Sequence, residues 1–124
     1  MILEKKKIFM FDDNQQILEL CKEIFEDLGV EINTSTSTNN VVEKVRNYLP
    51  HLIFMDNWLP DISGIEATQL IKSEADLKHI PVIYFTANID IITLAEKAGA
   101  DDYIAKPFDI DLFEEKVKKY LDLP

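Results

Sequence analysis

The sequence predicts an α/β fold, a doubly wound sheet of five parallel strands with helices on both faces. Three observations predict it. Five short apolar runs recur along the chain. Segments with apolar residues at helical spacing separate them. The runs themselves are apolar almost throughout rather than alternating, as strands buried on both faces are, and such strands belong to parallel sheets covered by helices. Right-handed crossovers then leave only a few strand orders.

The first run is Ile8–Phe11. A helix follows, with Ile17, Leu18, Cys21, Ile24, Phe25 and Leu28 on one stripe and Gly29 as its stop. The second run is Val30–Thr34, and the short stripe Val41, Val42, Val45 stands behind Asn39 and Asn40, either of which can cap a helix. The third run, Leu52–Met55, leads into a loop marked by Pro60 and Gly64. Ser63 with Glu66 three residues on reads as a capping box for a helix carrying Ile65, Leu70 and Ile71. Val82–Phe85 is the fourth run, followed by Ile91, Ile92, Leu94, Ala95 and Ala98 with Gly99 after them. Tyr103–Ala105 is the fifth, and Leu112, Phe113, Val117, Tyr120 and Leu121 form the last stripe.

At 124 residues the chain has the size of one domain with a real core. Its apolar share of 47% and charged share of 29% are those of an ordinary globular protein. The net charge of −10, from 13 basic and 23 acidic residues, argues against direct binding of nucleic acid, which needs basic patches. With a single cysteine, Cys21, an internal disulfide is impossible, and its helical spacing makes it a core residue. The amino-terminal MILEKKKIFMF is too briefly apolar for a signal peptide, and nothing approaches membrane-spanning length, so the expectation is one cytoplasmic domain over residues 1–124.

Doubly wound folds bind ligands at the carboxyl ends of their strands. The first run ends in Asp12 and Asp13, the third in Asp56, the fourth at Thr86 and the fifth at Lys106. The second offers nothing obvious. Crowded carboxylates repel: at roughly 5 Å and an effective dielectric of about 20, each pair costs on the order of 3 kcal/mol. Either one takes a proton or a cation sits among them, and hard oxygen donors suit Mg²⁺ or Mn²⁺. A hydroxyl and an ammonium beside such an ion are what a phosphoryl group needs for its remaining oxygens. Together they fit phosphoryl transfer onto a carboxylate nucleophile, giving an acyl phosphate.

Five features carry a family resemblance: Asp12-Asp13, Asp56, LPDISG in the loop after it, Thr86-Ala87, and GADDYIAKPF around the fifth run. In that order and spacing they resemble the receiver domain of two-component response regulators, of the stand-alone, chemotaxis-regulator-like kind. The resemblance implies the flavodoxin-like strand order 2-1-3-4-5. It implies Asp56 as phosphoacceptor, with Asp13 binding Mg²⁺ (or Mn²⁺) directly, Asp12 directly or through water, and the backbone carbonyl of Trp58 as a further ligand. Thr86 and Lys106 would each hold a phosphoryl oxygen, Tyr103 would change rotamer as Thr86 is drawn in, and the Lys106–Pro107 bond would be cis. The implied partners are a sensor histidine kinase or histidine phosphotransfer protein as donor, and a downstream protein on the fourth helix, fifth strand and fifth helix.

Each residue also has a plainer reading. Asp12-Asp13 can cap the first helix, Asp56 can start a turn, Thr86 can serve β-propensity and Lys106 can pair with a surface acid. Tyr103 can be core, and His51 and His79 read as structural or solvated. Trp58 is bulkier than many receivers carry there, and the stretch from Thr86 to Gly99 is slightly short, which predicts a trimmed or reoriented fourth helix. The expected function is a phosphorylation-dependent switch that catalyses its own phosphoryl transfer and slow dephosphorylation, without room for a DNA-binding output domain. The alternative is a protein-binding module of the same fold acting mainly unphosphorylated. A free-standing phosphatase lacks the second acid, where Trp58 stands, and a flavin protein would need a phosphate loop after the first strand.

Overall fold

A computed structural model of the chain describes residues 5–87 and 90–123. The first four residues of the amino-terminal MILEKKKIFMF therefore lie outside the described residues. Strand β1 (Lys7–Phe11), helix α1 (Gln15–Asp27), β2 (Glu31–Ser35), α2 (Val41–Tyr48), β3 (Leu52–Met55), α3 (Gly64–Ser73), β4 (Val82–Thr86), α4 (Ile91–Ala98), β5 (Asp102–Ala105) and α5 (Ile110–Leu121) alternate along the chain. All neighbouring strands pair in parallel, in the order β2-β1-β3-β4-β5. That is the predicted order. Among the described residues no helix is long and apolar enough to cross a membrane.

Strand side chains alternate between the two faces, and each face has its own core. Ile8, Met10, Leu52, Phe54, Ile83 and Phe85 pack against α1 and α5 through Leu18, Cys21, Phe25, Phe113 and Val117. Phe9, Phe11, Ile53, Met55, Val82 and Tyr84 pack against α2, α3 and α4 through Val45, Ala67, Ile71 and Ala95. The first core is built on an aromatic cluster. The Phe113 ring centre lies 4.8 Å from Phe108, 5.2 Å from Phe54, 5.5 Å from Phe25 and 5.7 Å from Phe85.

Several boundaries differ from the sequence reading. Val30 precedes β2, which starts at Glu31, and β5 starts one residue early at Asp102. Leu70, Ile92 and Leu112 were expected on buried stripes and are exposed. In α3 the inward stripe is Ala67, Thr68 and Ile71 instead, because small residues let the helix approach the sheet. Asn40 precedes α2 in a left-handed conformation, φ 54°, and its side chain makes no capping bond. Ser63 does cap α3, accepting from the Glu66 N–H at 3.2 Å. Helix α4 is short, at eight residues, and Asn88 and Ile89 just before it lie outside the described residues.

Truncating Phe113 to alanine leaves a cavity that its ring neighbours can only partly fill. Phe113→Ala is expected to cost about 3–5 kcal/mol in urea unfolding. A loss below about 1 kcal/mol would mean that the cluster collapses around the gap.

Candidate functional site

Hydrogen bonds of the sheet continue one residue beyond the strands and fix the backbone of the site. The Asp12 N–H donates to the Ser35 carbonyl at 3.1 Å, Asp56 N–H to Phe11 at 3.0 Å, and Lys106 N–H to Thr86 at 3.0 Å. Because β1 lies beside β3, Asp12, Asp13 and Asp56 meet, each offering a carboxylate oxygen within 4.8 Å of the others. Helix α1 does not need the acidic pair as its cap. Asn14 serves, accepting from the N–H groups of Gln16 and Ile17.

The five polar side chains expected at the strand ends occupy distinct positions. Asp12 is buried with a partner on each oxygen: Oδ1 accepts the Asn14 N–H at 2.9 Å, and Oδ2 takes the Lys106 ammonium. Lys106 Nζ is also 3.8 Å from Asp56 Oδ1 and 4.9 Å from the Phe85 ring centre. Asp56 is 4% exposed, and its Oδ1 accepts the Asn57 N–H at 2.8 Å. Asp13 is exposed. Thr86 is buried, and its Oγ1 has no hydrogen-bond partner. The Trp58 indole is 66% exposed, Tyr103 lies partly exposed on the β5 edge, and the Lys106–Pro107 bond is cis.

Burial pushes the Asp56 carboxyl up to about 6; the charges of Asp12 and Asp13 add to this, while Lys106 and the Asn57 N–H oppose it. The Lys106 ammonium thus reaches two of the three clustered carboxylates. The donor set fits a small divalent cation: it is all hard oxygen, it carries excess negative charge, and one side opens to water at Asp13. The orphaned Thr86 hydroxyl fits an incoming oxygen ligand, since a buried hydroxyl without a partner is costly.

Four residues that support the site carried no strong sequence signal. Gly64 opens α3 so close to Asp56 that a Cβ there would lie 2.0 Å from the Asp56 carbonyl oxygen. Its N–H donates to the Asn57 carbonyl at 3.0 Å. Asn57, buried, accepts the hydroxyl of buried Tyr84 on its side-chain oxygen. Thr38 holds the loop after β3 from the other side: its hydroxyl lies 2.7 Å from the Pro60 carbonyl and 2.8 Å from that of Ile62, and accepts the Ile62 N–H at 3.0 Å. Only LPDISG hinted at any of this, by marking Gly64 as special. His51 is structural, its Nδ1 accepting the Lys7 N–H at 2.9 Å.

Comparison with known proteins gives a consistent answer. The family model for the response regulator receiver domain matches residues 8–118. Over 118 residues the chain is 33% identical to the polar-differentiation response regulator DivK of Brucella ovis, covering 94% of this chain and 96% of that one. A CheY-like response regulator receiver domain protein from Methanospirillum hungatei has a crystal structure similar to this one, with TM-score 0.85, 29% identity, and coverage of 96% of this chain and 95% of that one. The receiver domain of a sensor histidine kinase from Pseudomonas aeruginosa shares the fold at TM-score 0.86 and 24% identity, covering 96% of this chain and 99% of that one. Its structure has a magnesium ion coordinated in the active site cleft.

Two outcomes follow from the packing and charge of the site. Gly64→Ala forces backbone against backbone at Asp56 and is expected to destabilise by about 3 kcal/mol or more in urea unfolding. A loss under about 0.5 kcal/mol would show that α3 shifts freely. The second concerns pH. With its carboxyl raised from 3.8 to about 6 on folding, Asp56 costs nothing well below pH 3.8, where it is protonated in both states. The cost grows as pH rises from 3.8 to about 6 and is complete above that. In chelator, Asp56→Asn should therefore gain on the order of 3 kcal/mol over the native chain at pH 7.5 and almost nothing at about pH 3. A gain independent of pH would rule out burial of this charge as its cause.

Proposed function

Because the chain belongs to the response regulator receiver domain family of two-component signalling, we propose that Asp56 accepts a phosphoryl group and that the chain acts as a phosphorylation-dependent switch. The observation that carries this reading is the buried Asp56 carboxylate beside Asp12, Asp13 and Lys106, with the partnerless Thr86 hydroxyl at the end of the neighbouring strand β4.

The donor is a phosphohistidine on a sensor histidine kinase or a histidine phosphotransfer protein. An ionised Asp56 oxygen attacks phosphorus, the P–N bond breaks, and its electron pair returns to the imidazole, which takes a proton. Asp13 and Asp56, with Asp12 directly or through water and the Trp58 carbonyl, would hold Mg²⁺ or Mn²⁺, which supplies positive charge against the phosphoryl oxygens. The magnesium-bound Pseudomonas receiver supports that assignment. Lys106, now shared between Asp12 and Asp56, supplies the second positive charge. Thr86 Oγ1 donates to a phosphoryl oxygen and so gains the partner it lacks. Drawing Thr86 inward frees space for the Tyr103 ring, and the surface of α4, β5 and α5 changes for a downstream protein. The receiver works in the cytoplasm through protein contacts, without contacting nucleic acid or membrane, in keeping with its net charge of −10. Its catalysis is confined to its own phosphorylation and slow dephosphorylation.

Acetyl phosphate with Mg²⁺ should add one phosphate, located at Asp56 by mass spectrometry and absent from Asp56→Asn. Asp13→Asn should weaken the Mg²⁺ dependence of labelling at least about 10-fold. Equal labelling of Asp56→Asn would remove Asp56 as the acceptor, and an unchanged Mg²⁺ response in Asp13→Asn would remove Asp13 as a ligand.

A further inference from the structure

Tyr103 is 37% exposed at the edge of the sheet, and its surroundings are asymmetric. On the α4 side a cavity of about 160 Å³, bounded by Ile92, Ala95, Glu96 and Tyr103 among others, leaves the ring unwedged. On the α5 side Lys116 holds it. Lys116 Nζ lies 5.4 Å from the ring centre and donates to the Tyr103 carbonyl at 3.1 Å. The same ammonium donates to Asp102 Oδ1 at 2.7 Å.

Asp102 in turn is fixed on every side. Its Oδ1 also accepts the Tyr103 N–H at 2.8 Å, and its Oδ2 accepts the Tyr120 hydroxyl at 3.0 Å. The pair is shielded, with the Lys116 side chain 25% exposed and that of Asp102 17%. Lys116 therefore has three attachments (carboxylate, carbonyl and ring face) that all agree with the outward position of Tyr103. A ring turning inward keeps the first two and loses the third.

We infer that Lys116 is a positioning residue that latches the Tyr103 ring outward and so sets the resting bias of the switch. The inference rests on the proposed role of Tyr103. It assigns Lys116 something beyond tying α5 to β5, because the contact at stake is the one with the ring. A cation over a partly exposed ring shifts a two-state equilibrium by about two- to five-fold.

The test measures Tyr103 χ1 populations by three-bond couplings in isotope-labelled full chain, in chelator and without any phosphoryl mimic. Lys116→Met keeps the aliphatic stem and removes the charge, and it should raise the minor rotamer about two- to five-fold. Lys116→Arg should restore the native distribution. Asp102→Asn, which removes the carboxylate charge holding the ammonium and leaves the ring itself unaltered, should move the populations the same way. Native populations in both Lys116→Met and Asp102→Asn, even with a lowered melting temperature, would overturn the latch and leave only a helix tether. Beryllofluoride added to the native chain separates the two readings. If it leaves χ1 unchanged there while Lys116→Met shifts it, the latch stands and the switch role of Tyr103 falls.

Discussion

The structure is organised around a charge that folding makes expensive. Asp56 is a buried carboxylate next to two more, and among the described residues only the Lys106 ammonium reaches them. Burial and like charge both raise the cost of ionising it. The fold tolerates this because fixed donors surround the site: the Asn57 N–H on Asp56, the Asn14 N–H on Asp12, and Lys106 reaching from beyond β5. What remains uncompensated is an excess of negative charge at a rigid opening. That excess is a cost to folding and an attraction for a cation, so the stability penalty and the proposed metal binding have the same residues as their source.

Rigidity comes from backbone. Asp12, Asp56 and Lys106 each hang from a hydrogen bond that extends the sheet one residue past its strands. Behind Asp56 the start of α3 is pressed onto its carbonyl, which only a glycine permits. Asn57 is pinned between that helix and Tyr84, and the loop beyond is closed by Thr38. Electrostatic stabilisation of a transferring group depends on such pre-set positions, since charges that must first rearrange contribute less.

The sheet and the site's charged residues were legible in the sequence because they follow from one rule, that parallel strands put their carboxyl ends together. An apolar run that stops at Asp56 or Lys106 advertises both strand and site. The supporting residues follow no such rule. Gly64 matters through a close approach between segments eight residues apart, and Asn57 through a hydroxyl from β4, so neither is visible without the fold. Helical spacing located α3 and α4 but misjudged Leu70 and Ile92, because periodicity marks a stripe without saying how wide the contact with the sheet will be. Asn40 had the right chemistry for a cap and the wrong backbone, since φ 54° turns its side chain away from the helix N–H groups.

A change at Asp56 has few ways to reach the surface. The ladder between β4 and β5 sets Tyr84 opposite Tyr103 and Thr86 opposite Ala105, and Lys106 bonds back to Thr86. These backbone bonds resist small displacements, and packed cores change by discrete rearrangement rather than by gradual deformation. In the proposed switch, the signal must therefore pass through side chains that can still move. Tyr84 cannot, being buried and bonded to Asn57. Thr86 can, because its hydroxyl has nothing to give up. Tyr103 can, because its ring borders a cavity and has the Lys116 ammonium over it. In the proposed switch, the route from site to surface thus runs along β4 and β5 through the least-pinned side chains of an otherwise fixed sheet.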